Sequence, residues 1–192
     1  MAKILGNFHL ALLIGIVLLV AAMVGFHQGS MDKGYWIEFL RYLHVWAGIL
    51  WIGLLYYFNF VQIPTMPTVP AELKPGVSKY IAPNALFYFR WAAAITVLMG
   101  LILAYLNGYA KEALTFQSGF QLIGTGMWLG LIMAFNVWFI IWPNQKKALS
   151  LVEADDATKA AAAKTAMIAS RLNTLLSIPM LYAMASFQTL PR

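Results

Sequence analysis

The sequence predicts an all-α integral membrane bundle of five transmembrane helices, with a cytoplasmic N-terminus and a periplasmic C-terminus. Three observations carry that expectation. Hydrophobic residues make up 61% of the 192-residue chain and charged residues only 10%, against roughly 45–50% and 25% in ordinary globular domains. A soluble protein of this size has too few charges to cover so much apolar surface. Long apolar runs alternate with charged or Pro/Gly-rich breaks, and the cations gather in alternate connections, as multi-pass proteins require. Five spans of about 20–25 residues use most of the length, so residues 1–192 are expected to form a single five-helix membrane domain.

The first run covers about Phe8–Phe26. Lys3 ahead of it resembles a signal-peptide start, but the apolar stretch is long for an h-region and is expected to remain as a membrane helix. The second span is about Tyr35–Gln62, and the third about Ala85–Leu106. Between them Pro64, Pro67, Pro70, Pro75 and Pro83 predict an ordered loop or short interfacial segments. The fourth span runs from Phe120 to Trp142, with Pro143 expected to end it. A cytoplasmic helical extension is expected at about 146–166, because "DDATKAAAAKTAMIAS" from Asp155 combines helix formers with acids at the start. It leads into the fifth span, about Met167–Phe187, where Pro179 predicts a kink.

Orientation follows from counting cations. Lys3, Lys74, Lys79, Lys146, Lys147, Lys159 and Lys164 fall on one side, and Lys33, Lys111 and Arg192 on the other. The richer side is cytoplasmic by the positive-inside rule. The formal charge of +6 therefore reads as topology, and no nucleic-acid partner is expected. There is no cysteine, which excludes disulfides, iron–sulfur clusters, thiol nucleophiles and covalently attached c-type haem. No Walker loop or Ser–His–Asp set is present.

An ionisable group inside a span needs a reason. Arg41, His44, Gly48 and Trp51 recur at steps of three or four, which places them on one face of the second helix. His44 lies roughly 12 Å below the outer edge of the core at 1.5 Å per residue. In one reading His44 is an axial ligand to the iron of a b-type haem, Gly48 leaves room for the macrocycle, Arg41 meets a propionate and Trp51 lines the site. In the other, His44 hydrogen-bonds between helices and Gly48 permits close packing. His9 and His27 lie at other depths and are expected at the interfaces. Gly126, Gly130 and Ala134 form a small-residue stripe expected to pack helices, and Asn136, Asn173 and Ser177 are expected to hydrogen-bond between helices. Arg90 and Arg171 are shallow enough to snorkel.

Four stretches, "RYLHVWAGILWIGLLYYFNFVQ" (Arg41–Gln62), "APNALFYFRWAAAITVLMG" (Ala82–Gly100), "NVWFIIWPNQKK" (Asn136–Lys147) and "ASRLNTLLSIPMLYAMAS" (Ala169–Ser186), resemble the N-terminal membrane domain of bacterial membrane-bound urate hydroxylases. The resemblance implies a membrane redox protein that oxidises urate to 5-hydroxyisourate and passes electrons to a cytochrome c domain fused at the C-terminus. By position His44 matches the histidine of the family's His-x-x-x-Gly-x-x-Trp stretch. Two departures stand out. The chain ends at Arg192 without cysteine, so the cytochrome c is expected to be a separate protein. The histidine that follows the family's closing Ala-Ser is replaced here by Phe187 and Gln188.

Two functions follow as expectations. One is a membrane-embedded electron-transfer subunit, b-type cytochrome-like, with non-covalent haem b at His44. It would work with a separate cytochrome c or other membrane subunits, and any enzymatic activity would be that of an oxidoreductase. The alternative is a haem-free accessory subunit of a larger respiratory or oxidoreductase complex.

Overall fold

A computed structural model describes residues 2–27, 31–187 and 189, so Gln188 and Arg192 lie outside the described residues. Those residues are almost entirely helical and include no strand. They divide into two compact units, Met1–Phe39 and Leu40–Arg192.

The first unit contains helix α1, Phe8–His27. It is apolar on every face and buries none of its residues, which is how a helix reads when its surroundings are lipid. At its end the His27 ring packs against Tyr35, with centroids 5.2 Å apart.

The second unit is built on four helices. Helix α2 spans Lys33–Thr65, beginning in the first unit, α3 spans Lys74–Leu106, and α4 spans Gln121–Ala148. Helix α5 is one continuous run, Asp156–Ser186, that passes through Pro179. With α1, the first three make four helices long and apolar enough to cross a membrane, and the protein is a multi-pass membrane protein in contact with the bilayer. Helix α5 is 31 residues long but carries Ser170, Arg171, Asn173 and Ser177, which lower its apolar character. Three of them, Ser170, Asn173 and Ser177, are buried.

The prolines act differently from their sequence reading. Helix α2 runs through Pro64, α3 through Pro75 and Pro83, and α4 through Pro143 to Ala148, so Pro143 does not end its helix. In α2, α3 and α4 a π-helical segment (Tyr57–Gln62, Val77–Ile81, Asn136–Ile141) stands immediately before an X-Pro pair. The amide before each proline bonds five residues back: Ile63 to Phe58, Ala82 to Val77 and Trp142 to Val137. A proline ring clashes with the carbonyl four residues back. The wider π turn moves that carbonyl aside and lets the helix continue. The connection between α2 and α3 is correspondingly shorter than the prolines predict. The expected extension near 146–166 is interrupted: helix α4 stops at Ala148 and α5 begins at Asp156.

The main core joins Trp51, Leu55 and Phe58 of α2 to Leu86, Phe89 and Ala93 of α3, Met133, Val137 and Ile141 of α4, and Ala169 and Met180 of α5. Polar pairs stitch the helices at this level. Asn136 donates to Asn173 (2.9 Å), whose own amide donates to the Met133 carbonyl (2.9 Å). The Ser177 hydroxyl donates to the Thr174 carbonyl, so Tyr56 is the donor in its 3.0 Å contact with Ser177. Asn59 donates to Ser170 (2.8 Å). A second cluster joins Ala104, Ala113, Ile123, Met127 and Phe187.

Candidate functional site

The four residues singled out on α2 meet at one place. Arg41, His44, Gly48 and Trp51 all line a cavity of about 600 Å³ within the second unit, inside the roughly 300–1,000 Å³ range of cofactor and ligand sites. Helices α3, α4 and α5 supply the other walls, among them Thr96, Gly100, Gly130 and Met180.

His44 is the chemically distinctive group. Its Nδ1 lies 2.8 Å from the Thr96 carbonyl oxygen. A carbonyl can only accept, so Nδ1 carries the hydrogen and the neutral ring keeps a lone pair on Nε2. Nε2 has no hydrogen-bond partner among the described residues. A backbone carbonyl holding one nitrogen while the other stays open is how a metal-ligating histidine is oriented. The same bond also ties α2 to α3, so the interhelical contact is present as well. The Thr96 hydroxyl itself donates to the Ala92 carbonyl (2.7 Å). Gly100 lies directly beneath the ring: a Cβ there would stand 2.9 Å from Cε1 and 3.1 Å from Nδ1 of His44.

The glycines also set the open space. A Cβ on Gly48 would meet only the Thr96 methyl at 3.8 Å, and one on Gly130 would meet nothing within 4 Å. The Gly126–Gly130–Ala134 stripe is therefore split in function. Gly126 packs, since its Cβ would come within 3.1 Å of Ala183. Gly130 instead leaves volume to the cavity, contrary to the packing role its spacing predicts. Trp51 is 1% exposed, and its Nε1–H is buried without a hydrogen-bond partner among the described residues. The cavity is thus mostly apolar, with one open imidazole nitrogen and with glycines at Gly48 and Gly130 leaving room on its walls.

Phe187, at the place where the family resemblance expects a histidine, is buried. Its ring packs against Tyr109 (5.5 Å between centroids) and Phe120 (6.2 Å). It fills space and offers no ligand. Gln188 lies outside the described residues. Among the described residues no group of three His, Cys, Asp or Glu side chains is arranged to hold a metal ion.

Sequence reading missed Thr96, Gly100 and Met180, and named Gly130 only as a packing residue. They come from other helices, and the glycines alone carry a signal in the sequence, their small size. Met180 is placed by register. Gly126 faces Ala183, and Asn136 faces Asn173, so the level of Gly130 on α4 corresponds to that of Pro179 and Met180 on α5.

Fold and cavity define a multi-pass helical membrane protein with a histidine-bearing cavity inside its bundle. A family model described as urate oxidase N-terminal matches residues 95–188. Over that stretch the chain is urate oxidase N-terminal-like, as the sequence resemblance implies. The match takes in Thr96, Gly100, Gly130, Met180 and Phe187 and begins after His44. No curated protein and no solved structure matches the chain.

Proposed function

We propose that this protein is a membrane-embedded electron-transfer subunit that holds a b-type haem at His44, in a urate hydroxylase-like scaffold. The observation that carries the reading is the Nδ1–H bond from His44 to Thr96, which leaves Nε2 open on a cavity of cofactor size. His44 would supply one iron ligand through Nε2, and Met180 offers a thioether on the same cavity. Gly48 and Gly130 leave room for the ring, Trp51 borders it, and Arg41 offers a cation for its carboxylates. Bound haem supplies reversible one-electron transfer.

In this reading α5 is the fifth span, the N-terminus is cytoplasmic and the C-terminus periplasmic. His44 then lies toward the outer face of the inner membrane, within reach of quinol or a separate cytochrome c. A second reading, a haem-free accessory subunit of a larger complex, is favoured by one feature: the aromatic cluster of Phe187, Tyr109 and Phe120 stands where the family's second histidine is expected.

A reduced-minus-oxidised visible spectrum, taken after expression with ample haem, separates the two. An α-band of b type that disappears in His44→Ala is the expected result. Absence of haem absorbance from the wild-type protein overturns the electron-transfer reading in favour of the accessory one.

A further inference from the structure

At the opposite end of the bundle from His44, two cations share one indole. The Arg90 guanidinium carbon on α3 lies 3.4 Å from the centroid of the Trp142 ring on α4. Lys146, one turn further along α4, holds its Nζ 5.8 Å from the same centroid. Arg90 has no ion pair or hydrogen bond among the described residues, and its Nη1 is buried without a partner. Stacking occupies the face of the guanidinium and Nη1 is enclosed, which leaves the Nε–Nη2 edge of the planar fork to meet a phosphate.

Depth decides what can answer this charge. At 1.5 Å per residue Trp142 stands about 32 Å along α4 from Gln121, close to the roughly 30 Å thickness of the hydrocarbon core. The ring therefore sits at the membrane edge. Arg90 stands about 24 Å along α3 from Leu106, a few ångströms inside that edge, and reaches outward to the ring. An uncompensated cation at this depth is costly. The groups present at this level in a bilayer are headgroup phosphates, and an anionic lipid meets both Arg90 and Lys146 at once.

We propose that Arg90, Trp142 and Lys146 form a binding site for the phosphate of one anionic phospholipid headgroup. The inference rests on the membrane-spanning fold and is independent of haem. The test is native mass spectrometry of the purified protein released from bilayers of mixed phosphatidylglycerol and phosphatidylcholine. Wild type is expected to retain one phosphatidylglycerol in preference to phosphatidylcholine. Retention is expected to fall by about tenfold in Arg90→Gln, as for loss of charge-assisted hydrogen bonds, and by less in Lys146→Gln. Arg90→Lys, which keeps charge without the fork, is expected to lie between, and serves where Arg90→Gln does not fold. Equal retention of the two lipids by wild type, or unchanged retention in both Arg90 variants, overturns the site. Displacement of the lipid by millimolar inorganic phosphate alone overturns its assignment to a lipid headgroup and makes it a free-anion site.

Discussion

The His44 ring stands between the Thr96 carbonyl, 2.8 Å from Nδ1, and the bare Cα of Gly100, so the imidazole is fixed by one helix turn of α3. Because Gly100 has no side chain, the ring can come close enough to make that bond. Gly100→Ala would put a methyl carbon 2.9 Å from Cε1, closer than real contacts allow, and overpacking of this kind costs about 1–3 kcal/mol. The expected outcome is displacement of His44 from Thr96, a lower melting temperature and a smaller haem α-band per protein. Gly48→Ala, with its nearest neighbour at 3.8 Å, is expected to melt close to wild type. Equal behaviour of the two variants would contradict the assigned role of Gly100.

Asn173 is fully buried and serves as both acceptor and donor between α4 and α5. Asn173→Leu removes both bonds, leaves the Asn136 side-chain amide unpaired in an apolar core, and leaves the Met133 carbonyl with only the Asn136 main-chain amide. The expected loss is about 1–2 kcal/mol of unfolding free energy in detergent. Adding Asn136→Leu removes the orphaned amide, so the double variant should lose less than the sum of the single ones. Strict additivity would mean that the two amides do not act as a pair.

The legible part of this molecule is what a single helix can encode. Apolar runs gave the long helices, and the spacing of Arg41, His44, Gly48 and Trp51 gave one wall of the cavity, because facing depends only on the 3.6-residue period. Helix ends were less legible. Pro64, Pro83 and Pro143 read as breakers, while the π turns ahead of them carry the helices onward. Asn136, Asn173 and Ser177 do bond between helices as their polarity predicts, but which groups they meet is not encoded locally. Gly126 and Gly130 look alike in sequence, yet one meets Ala183 and the other borders open space. Thr96 offers a main-chain carbonyl, which no side-chain pattern can announce.

Asp155 caps α5, accepting from the Thr158 amide (2.7 Å) and hydroxyl (3.0 Å), and these bonds hold its carboxyl below the usual aspartate range. The sign follows from linkage. A folded-state pKa below the unfolded value contributes stability that is complete above the unfolded pKa and is lost as pH falls through the folded one. Protection of the first-turn amides of α5, measured against their intrinsic exchange rates at each pH, is therefore expected to fall on acidification below the ordinary aspartate pKa. Asp155→Ala should exchange fast at neutral pH and respond little to acid. A wild-type first turn equally protected at neutral and strongly acidic pH would contradict this.

Met180 borders the same cavity as His44, and its thioether is a side chain there that could supply a second iron ligand. Methionine opposite histidine raises the potential of a haem iron. Met180→Leu conserves volume, so its cost in stability should stay below about 1.5 kcal/mol. If Met180 is the second ligand, this variant is expected to keep its haem through His44 while the iron becomes high-spin and the midpoint potential falls. Met127→Leu, on the same cavity but in the aromatic cluster with Phe187, should change neither. Redox titration with visible spectra reads both quantities. Haem retained in Met180→Leu with unchanged spin state and potential would leave Met180 as cavity wall alone, while the role of His44 would still stand on its own test.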